Sequence, residues 1–414
     1  MKLVSEPPAV VVDLNKTGVL VARCLGRAGV RVTGAHVVRH APLGAHSRHV
    51  NDAQVRPGAT PEQLLGMLLR VAEGTTRKAV LMCVTDEAVD FCSRQRDALS
   101  AHFQLPDARA LAMHELLDKG RQAELAERCG LNVPATFEVG RRNATDLEAF
   151  ERVPLPAIVK PGNSLLGYKR FMGVEWTRAG LAAHVAETLT RCPQLIVSAY
   201  VPGGPERNYT VMGLGRGTRP PLVVTVTRKL RQVPQPAFGA ASLAETCADG
   251  ELAALAAKFI REVGLTGPFE VEFKRDDTGR PWFVEANFRF SALVELTGTA
   301  EASLPHLVYL DALARELPEV KSHGQNIRWV DELRDWRLCA TGHLTVDELL
   351  GGYANVNRLS LFDEDDPEPF ELALRREREE AGAARPLFEK ALARLLKKFE
   401  GVGGERARLE EVLR

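Results

Sequence analysis

Phe269-Glu270-Val271-Glu272-Phe273-Lys274, Arg275-Asp276-Asp277-Thr278-Gly279-Arg280-Pro281 and Trp282-Phe283-Val284-Glu285-Ala286-Asn287-Phe288-Arg289-Phe290 follow one another without interruption. Two runs that alternate apolar and polar residues flank a turn-rich connection, so the segment reads as a β-hairpin. Side chains alternate faces along a strand. Glu270, Glu272 and Lys274 therefore share one face, joined on the partner strand by Glu285, Asn287 and Arg289. A turn centred between Thr278 and Gly279 sets Glu272 opposite Glu285 and Glu270 opposite Asn287, with Cβ atoms about 5 Å apart. Facing carboxylates repel, and burial raises that cost unless a proton or a cation lies between them. A divalent metal resolves the conflict, because carboxylate oxygens with an asparagine carbonyl suit Mg2+ held jointly with nucleotide phosphates. The other reading of the spacing is a solvated polar face on which Lys274 and Arg289 screen the acids.

Cations that would meet phosphate lie on both sides of this hairpin in sequence. Lys119, Lys160, Lys229 and Arg231 each stand at the edge of an apolar segment. Ala157-Ile158-Val159-Lys160-Pro161 runs into Gly162-Asn163-Ser164-Leu165-Leu166-Gly167-Tyr168-Lys169, and Leu195 to Val201 runs into Pro202-Gly203-Gly204-Pro205. Each couples an apolar strand to a glycine-bearing turn, an arrangement that brings backbone amides close to a ligand. Upstream, a helix is expected over Glu115 to Cys129, closed by Gly130.

The first hundred residues alternate strand and helix. Ala9 to Leu14 and Val30 to Ala35 are apolar, β-branched runs separated by a helical pattern from Thr17 to Ala28, the unit of a parallel sheet. Ala79 to Val84 continues the alternation into a helix reaching about Leu99. Thr17-Gly18 with Gly26 and Gly29 lacks the G-x-G-x-x-G spacing of a dinucleotide site, so a glycine-tolerant turn is the preferred reading. His36, His40, His46 and His49 fit no zinc spacing and read as loop residues. Near the end, Phe388, Leu392, Leu395 and Phe399 form an apolar stripe at helical spacing that would dock on its own domain or on a second copy as a homodimer.

Composition narrows the class. The 414 residues carry 54 basic and 54 acidic side chains, so no overall field favours nucleic acid or an anionic membrane. Seven cysteines, odd in number and scattered singly, argue against a disulfide framework or a zinc ribbon and fit a reducing cytoplasm. No apolar run approaches the roughly 20 residues that span a bilayer, and neither membrane insertion nor a signal peptide is expected.

Ala157-Ile158-Val159-Lys160-Pro161, Tyr200-Val201-Pro202-Gly203, Arg228-Lys229-Leu230-Arg231-Gln232 and above all Glu285-Ala286-Asn287-Phe288-Arg289-Phe290 resemble the ATP-grasp superfamily, specifically its carboxylate–amine ligases, including D-aspartate ligase-like members. The resemblance covers about Asp118 to Leu310. It implies a fold of α/β and α+β class. A Rossmann-like preceding domain would occupy 1–108, a two-lobed core 109–317 with its lobe boundary near 195, and a mixed, then helical, extension 318–414. It implies ATP and Mg2+. Lys119 and Lys160 would reach the α- and β-phosphates, and Gly162 to Gly173, with Ser164 and Gly167, would form the phosphate-covering loop. The backbone of Ala199, Tyr200 and Val201 would hold adenine and Glu206 the ribose. Glu272, Glu285 and Asn287 match the magnesium ligands, the two acids being 13 residues apart as the hairpin register requires. Arg289 would stand beside the reacting carboxyl, with Lys229 and Arg231 near the γ-phosphate. Two departures stand out: Leu165-Leu166 and Lys169-Arg170 replace glycine and serine in the loop, and Ser198-Ala199 replaces a common glutamine–glutamate pair. The implied reaction joins a small-molecule carboxylate to an amine, amino acids or small peptides, through an acyl phosphate. The same architecture also serves kinases, carboxylases and non-catalytic ATP binders.

Overall fold

The run Ala9–Val12 (β1) is buried at every position, as a central parallel strand covered on both faces must be. It is flanked by Val32–His36 (β2), Asp52–Val55 (β3), Ala79–Cys83 (β4) and Phe103–Gln104 (β5), in the order β3-β2-β1-β4-β5 with every pairing parallel. The helix Lys16–Arg27 starts where the Asn15 side chain accepts the Gly18 amide, and Asp86–Arg94 starts where Thr85 accepts that of Ala88. The single helix expected from Asp86 to Leu99 is interrupted at Gln95, whose φ of −98° and ψ of 19° leave helical geometry before Arg96–Ser100 resumes. The computed structural model describes residues 6–106, 113–140, 152–166, 171–233, 238–299, 301–320 and 327–380. Gly167, Tyr168, Lys169 and Arg170 of the expected phosphate loop, and the stripe Phe388, Leu392, Leu395 and Phe399, lie outside them.

The described residues group into two compact units. One draws on 1–106, 229–247 and 290–414, the other on 107–228 and 248–289. In the first unit, Ala240–Cys247 (β12) pairs antiparallel with Arg328–Val330 (β15), which pairs parallel with Arg358–Leu359 (β16). Residues past 317 are thus built into the same unit as the first hundred. Buried polar contacts fasten them. Arg23, 1% exposed, donates to the Asp366 carboxylate at 2.8 Å and to the carbonyls of Leu361 and Asp366, while Ser47 donates to the same carboxylate at 2.7 Å. Trp336 and Phe362 pack edge-on against Phe370 in the apolar layer beneath. His36 ends β2 rather than lying in a loop. It is fully buried, accepts the Leu14 amide on Nδ1 and donates from Nε2 to the His40 carbonyl, which fixes a neutral tautomer. Among the described residues no metal-binding cluster of histidine, cysteine or acid side chains forms, and no helix is long and apolar enough to cross a membrane.

The second unit contains two antiparallel sheets. Thr136–Gly140 (β6), Ala157–Pro161 (β7), Gly173–Glu175 (β8) and Gln194–Ala199 (β9) make the smaller, in the order β6-β9-β7-β8. The larger includes Asn208–Arg216 (β10), the part of Arg219–Val233 (β11) up to Arg228, Thr266–Arg275 (β13) and Pro281–Asn287 (β14), in the order β14-β13-β10-β11. Its helix Gly250–Val263 is capped by Asp249 and closed by Gly264 in the left-handed region, φ 66°, where a side chain would be strained.

Glu332 tests how the C-terminal residues are held. It is fully buried and accepts the amides of Ser360, Leu361 and Phe362. Glu332→Ala strands three donors at about 1–3 kcal/mol each, so urea unfolding followed by tryptophan fluorescence is expected to show a loss of roughly 3 kcal/mol or more. A loss below about 1 kcal/mol would mean that solvent replaces the carboxylate.

Candidate functional site

The hairpin forms with the register read from the sequence: Glu272 pairs with Glu285 and Glu270 with Asn287. Beyond that pair the alternation slips. Phe273 pairs with Phe283, which leaves Val284 as an extra residue on β14, a bulge that no period-two pattern announces. The Val284 carbonyl accepts from Lys160 Nζ at 3.4 Å, so the bulge gives the larger sheet a contact with the end of β7. Glu270 is buried and accepts the Asn287 side-chain amide at 3.1 Å. That bond fixes the carboxamide, and its carbonyl oxygen lies 3.4 Å from the Arg289 guanidinium.

Lys119 arrives through a break in the helix expected over Glu115 to Cys129. Two helices occur instead, Met113–Leu116 and Lys119–Arg128, because Asp118 turns to extended geometry and its side chain accepts the Arg121 amide. Lys119 is thereby the first residue of a helix, where the positive end of the macrodipole disfavours a cation unless an anion faces it. Glu285 is that anion, its Oε2 lying 2.5 Å from Lys119 Nζ. One turn on, buried Gln122 accepts the Ala286 amide at 2.9 Å and donates to the Ala286 carbonyl at 2.9 Å. The residue between Glu285 and Asn287 is thus clamped through both its backbone amide and its carbonyl. Gln122 and Glu270 are functional candidates that the motif reading passed over, although Gln122 stands three residues after Lys119 on the same helix face.

Lys160, 9% exposed, closes the constellation. Burial pushes its ammonium down to about 8, neighbouring Lys119 pushes the same way, and Glu285 and Glu272 oppose both. At the proposed hinge the amides of Ala199 and Tyr200 are taken by the carbonyls of Ala135 and Pro156, whereas the Val201 amide meets no carbonyl among the described residues. The Tyr200 hydroxyl accepts from Lys274 at 3.1 Å, with the ammonium 4.3 Å from the ring centre. Gly162 donates to the Gln194 carbonyl and accepts the Lys119 amide, and a Cβ there would come within 2.8 Å of the Gln194 side chain. Ser164 opens a single 3-10 turn, and Glu206 is exposed in the turn Pro205–Arg207. In the first unit, buried Lys229 donates to the Gly239 carbonyl at 3.3 Å. Arg231 forms an ion pair with buried Asp335 and donates to the Glu348 carbonyl. The second unit alone therefore brings together Lys119, Lys160, Glu272, Glu285, Asn287 and Arg289.

With a parallel N-terminal sheet followed by two antiparallel sheets, the chain has an ATP-grasp fold. Residues 191–333 match the family model described as ATP-grasp in the biosynthetic pathway with Ter operon. The ADP complex of purK, N5-carboxyaminoimidazole ribonucleotide synthetase, is similar over 92% of this chain and 98% of that one, with a TM-score of 0.64 at 15% identity. The L-amino acid ligase from Bacillus licheniformis is similar over 77% of this chain and 78% of its own, with a TM-score of 0.59 at 16% identity. Biotin carboxylase from Campylobacter jejuni is similar over 78% and 74%, with a TM-score of 0.60 at 16% identity. Among curated proteins the sequence has no match.

A lysine whose folded pKa lies below its ordinary value of 10.5 binds fewer protons folded than unfolded between about 8 and 10.5. Stability therefore rises with pH across that window, and at pH 7 the buried charge costs up to about 3 kcal/mol. Lys160→Met is expected to melt higher than the native protein near pH 7, with the gap closing toward about pH 10. Equal melting temperatures at both pH values would show that Glu272 and Glu285 repay the burial in full.

Proposed function

We propose that this chain is an ATP-dependent ligase that joins a small-molecule carboxylate to an amine, amino acids or short peptides, through an acyl phosphate with release of ADP and phosphate. The observation that carries this reading is Glu272 opposite Glu285 with Lys119 on Glu285 and Lys160 beside them. Two acids and two lysines so placed match the charge pattern of a metal-bound polyphosphate. The similarity to an L-amino acid ligase supports amino acids as the substrates.

The donor set fits Mg2+: Glu272 and Glu285 are partly exposed hard oxygen ligands on adjacent strands, and Asn287 is held by Glu270 with its carbonyl oxygen toward solvent-accessible Arg289. When bound, the ion supplies charge neutralisation for the transferring phosphoryl group. Lys119 would exchange Glu285 for phosphate oxygens, and Lys160 would complete the cradle. The Val201 amide, which meets no carbonyl among the described residues, would donate to adenine. A substrate carboxylate attacks the γ-phosphate, and Arg289 stabilises first the phosphoryl oxygens and then the oxyanion formed when the amine attacks. Such preorganised electrostatics supply several kcal/mol of barrier reduction. No protein nucleophile is needed. The similarity to biotin carboxylase motivates a second reading in which bicarbonate is the carboxylate activated.

Glu285→Gln is expected to lower turnover by at least about a hundredfold while circular dichroism stays native; unchanged ATP consumption with the right substrates would sink the assignment. Hydroxylamine added during turnover is expected to trap a hydroxamate with ADP accumulating, whereas AMP and pyrophosphate would replace the acyl phosphate by an adenylate. Lys119→Met is expected to tighten Mn2+ binding measured by electron paramagnetic resonance without nucleotide, because the ammonium no longer competes for Glu285. Weaker or equal binding would mean that Glu285 is not a metal ligand.

A further inference from the structure

The first unit brings together two cysteines that the sequence holds nine residues apart. Cys83 ends β4 and is partly exposed; Cys92 is buried on the inner face of the helix Asp86–Arg94. Their sulfurs lie 3.4 Å apart, van der Waals contact, with the Cys83 thiol directed at Cys92 and 3.7 Å from the Ala88 carbonyl one helical turn earlier. Other thiols are engaged differently. Cys192 and Cys339 donate to backbone carbonyls, and Cys24 lies buried with its pKa pushed up to about 12, chiefly by that burial. Cys83 and Cys92 therefore combine two properties: a partly exposed residue for first attack, and a second sulfur already in position to resolve it.

We propose that Cys83 and Cys92 form a reversible thiol–disulfide modification site that responds to peroxide. In the first step the Cys83 sulfur attacks one oxygen of hydrogen peroxide, the O–O bond breaks, and a sulfenic acid and one water result. In the second, the Cys92 sulfur attacks the sulfenic sulfur, the S–O bond breaks, and the hydroxyl leaves as a second water with the Cys92 proton. Two thiols are oxidised and one peroxide is reduced, so the balance closes without another reactant. Bond formation draws the sulfurs from 3.4 Å to about 2.05 Å, a movement that the strand end and the helix must share. The link between them is Val84-Thr85, and Thr85 both caps the helix and donates at 2.6 Å to Asp13. Asp13 ends the path from β1 with a left-handed φ of 74° and accepts the amides of Val37 and Val38. Cys83 pairs with Val12 across β1 and β4, the place where the strand order of the parallel sheet reverses.

The test uses the full chain treated with hydrogen peroxide at a small molar excess, unfolded, alkylated in the denaturant and weighed. The expected result is a species lighter by two hydrogens with two of its seven cysteines protected, Cys83 and Cys92 in one linked proteolytic fragment, and dithiothreitol restoring all seven thiols. Full alkylation, or Cys83 carried alone to the sulfinic acid, would overturn the proposal. Two further measurements separate pairing from mere exposure. Phenylarsine oxide, which bridges neighbouring thiols, is expected to be retained one per chain and lost in Cys92→Ala. The same variant is expected to stop at a dimedone-reactive sulfenic acid on Cys83, and a disulfide to any other cysteine in it would contradict the assigned partner.

Discussion

Like charges set opposite each other on adjacent strands are destabilising, and Glu272 opposite Glu285 is such a pair, fixed by backbone register rather than by side-chain choice. The second unit answers the repulsion with cations drawn from two other elements. Lys119 reaches Glu285 from a helix start and Lys160 comes from the end of β7. Each cation is itself ill at ease. Lys119 stands at the wrong end of a helix dipole, and Lys160 is buried with its pKa lowered by that burial and by Lys119. A ligand that brings phosphate to the lysines and a divalent cation to the acids would relieve all of these terms together, which is the physical core of the functional proposal.

Such a cluster needs rigid supports. Gln122 fixes the peptide of Ala286, between the two candidate ligands on β14, and Glu270 fixes the side chain of Asn287. The bulge at Val284 shifts the register just past the Glu272–Glu285 pair and gives Lys160 a carbonyl of β14 to meet. These supports make no contact with a reacting atom in the proposed chemistry. Their contribution is to keep the acids within a fraction of an ångström of a useful geometry, the condition under which fixed dipoles act strongly.

The hairpin register, the parallel N-terminal sheet and the strand that carries Lys160 were legible because alternation and capping are local signals. The break at Asp118 was available too, since an aspartate three residues before the amide it caps is a helix-start signal, yet the apolar period running through it suggested one helix. The bulge at Val284 and the clamp by Gln122 were not legible. A bulge leaves no mark in an apolar–polar pattern, and a single glutamine on a helix carries no sign of the strand 164 residues away that it will hold. The thiol pair escaped for a similar reason: cysteines nine apart match no ligand spacing, and only the strand–helix packing makes them neighbours.

The same limit applies to the residues past 317, whose mixed pattern shows no strong period. What places them is buried polar pairing: Arg23 against Asp366, Glu332 against three amides, Lys16 against Asp331. Buried ion pairs add little net stability because desolvation offsets their attraction, but removing either partner alone is costly. They therefore act by excluding alternatives. A C-terminal segment shifted by one residue would bury Arg23 without its acid and strand the amides of Ser360, Leu361 and Phe362, so the observed docking is the one that pairs these groups. That the apolar cluster of Trp336, Phe362 and Phe370 lies beside these contacts shows the division of labour: apolar burial drives the segment onto the first unit, and the charges decide where it stops.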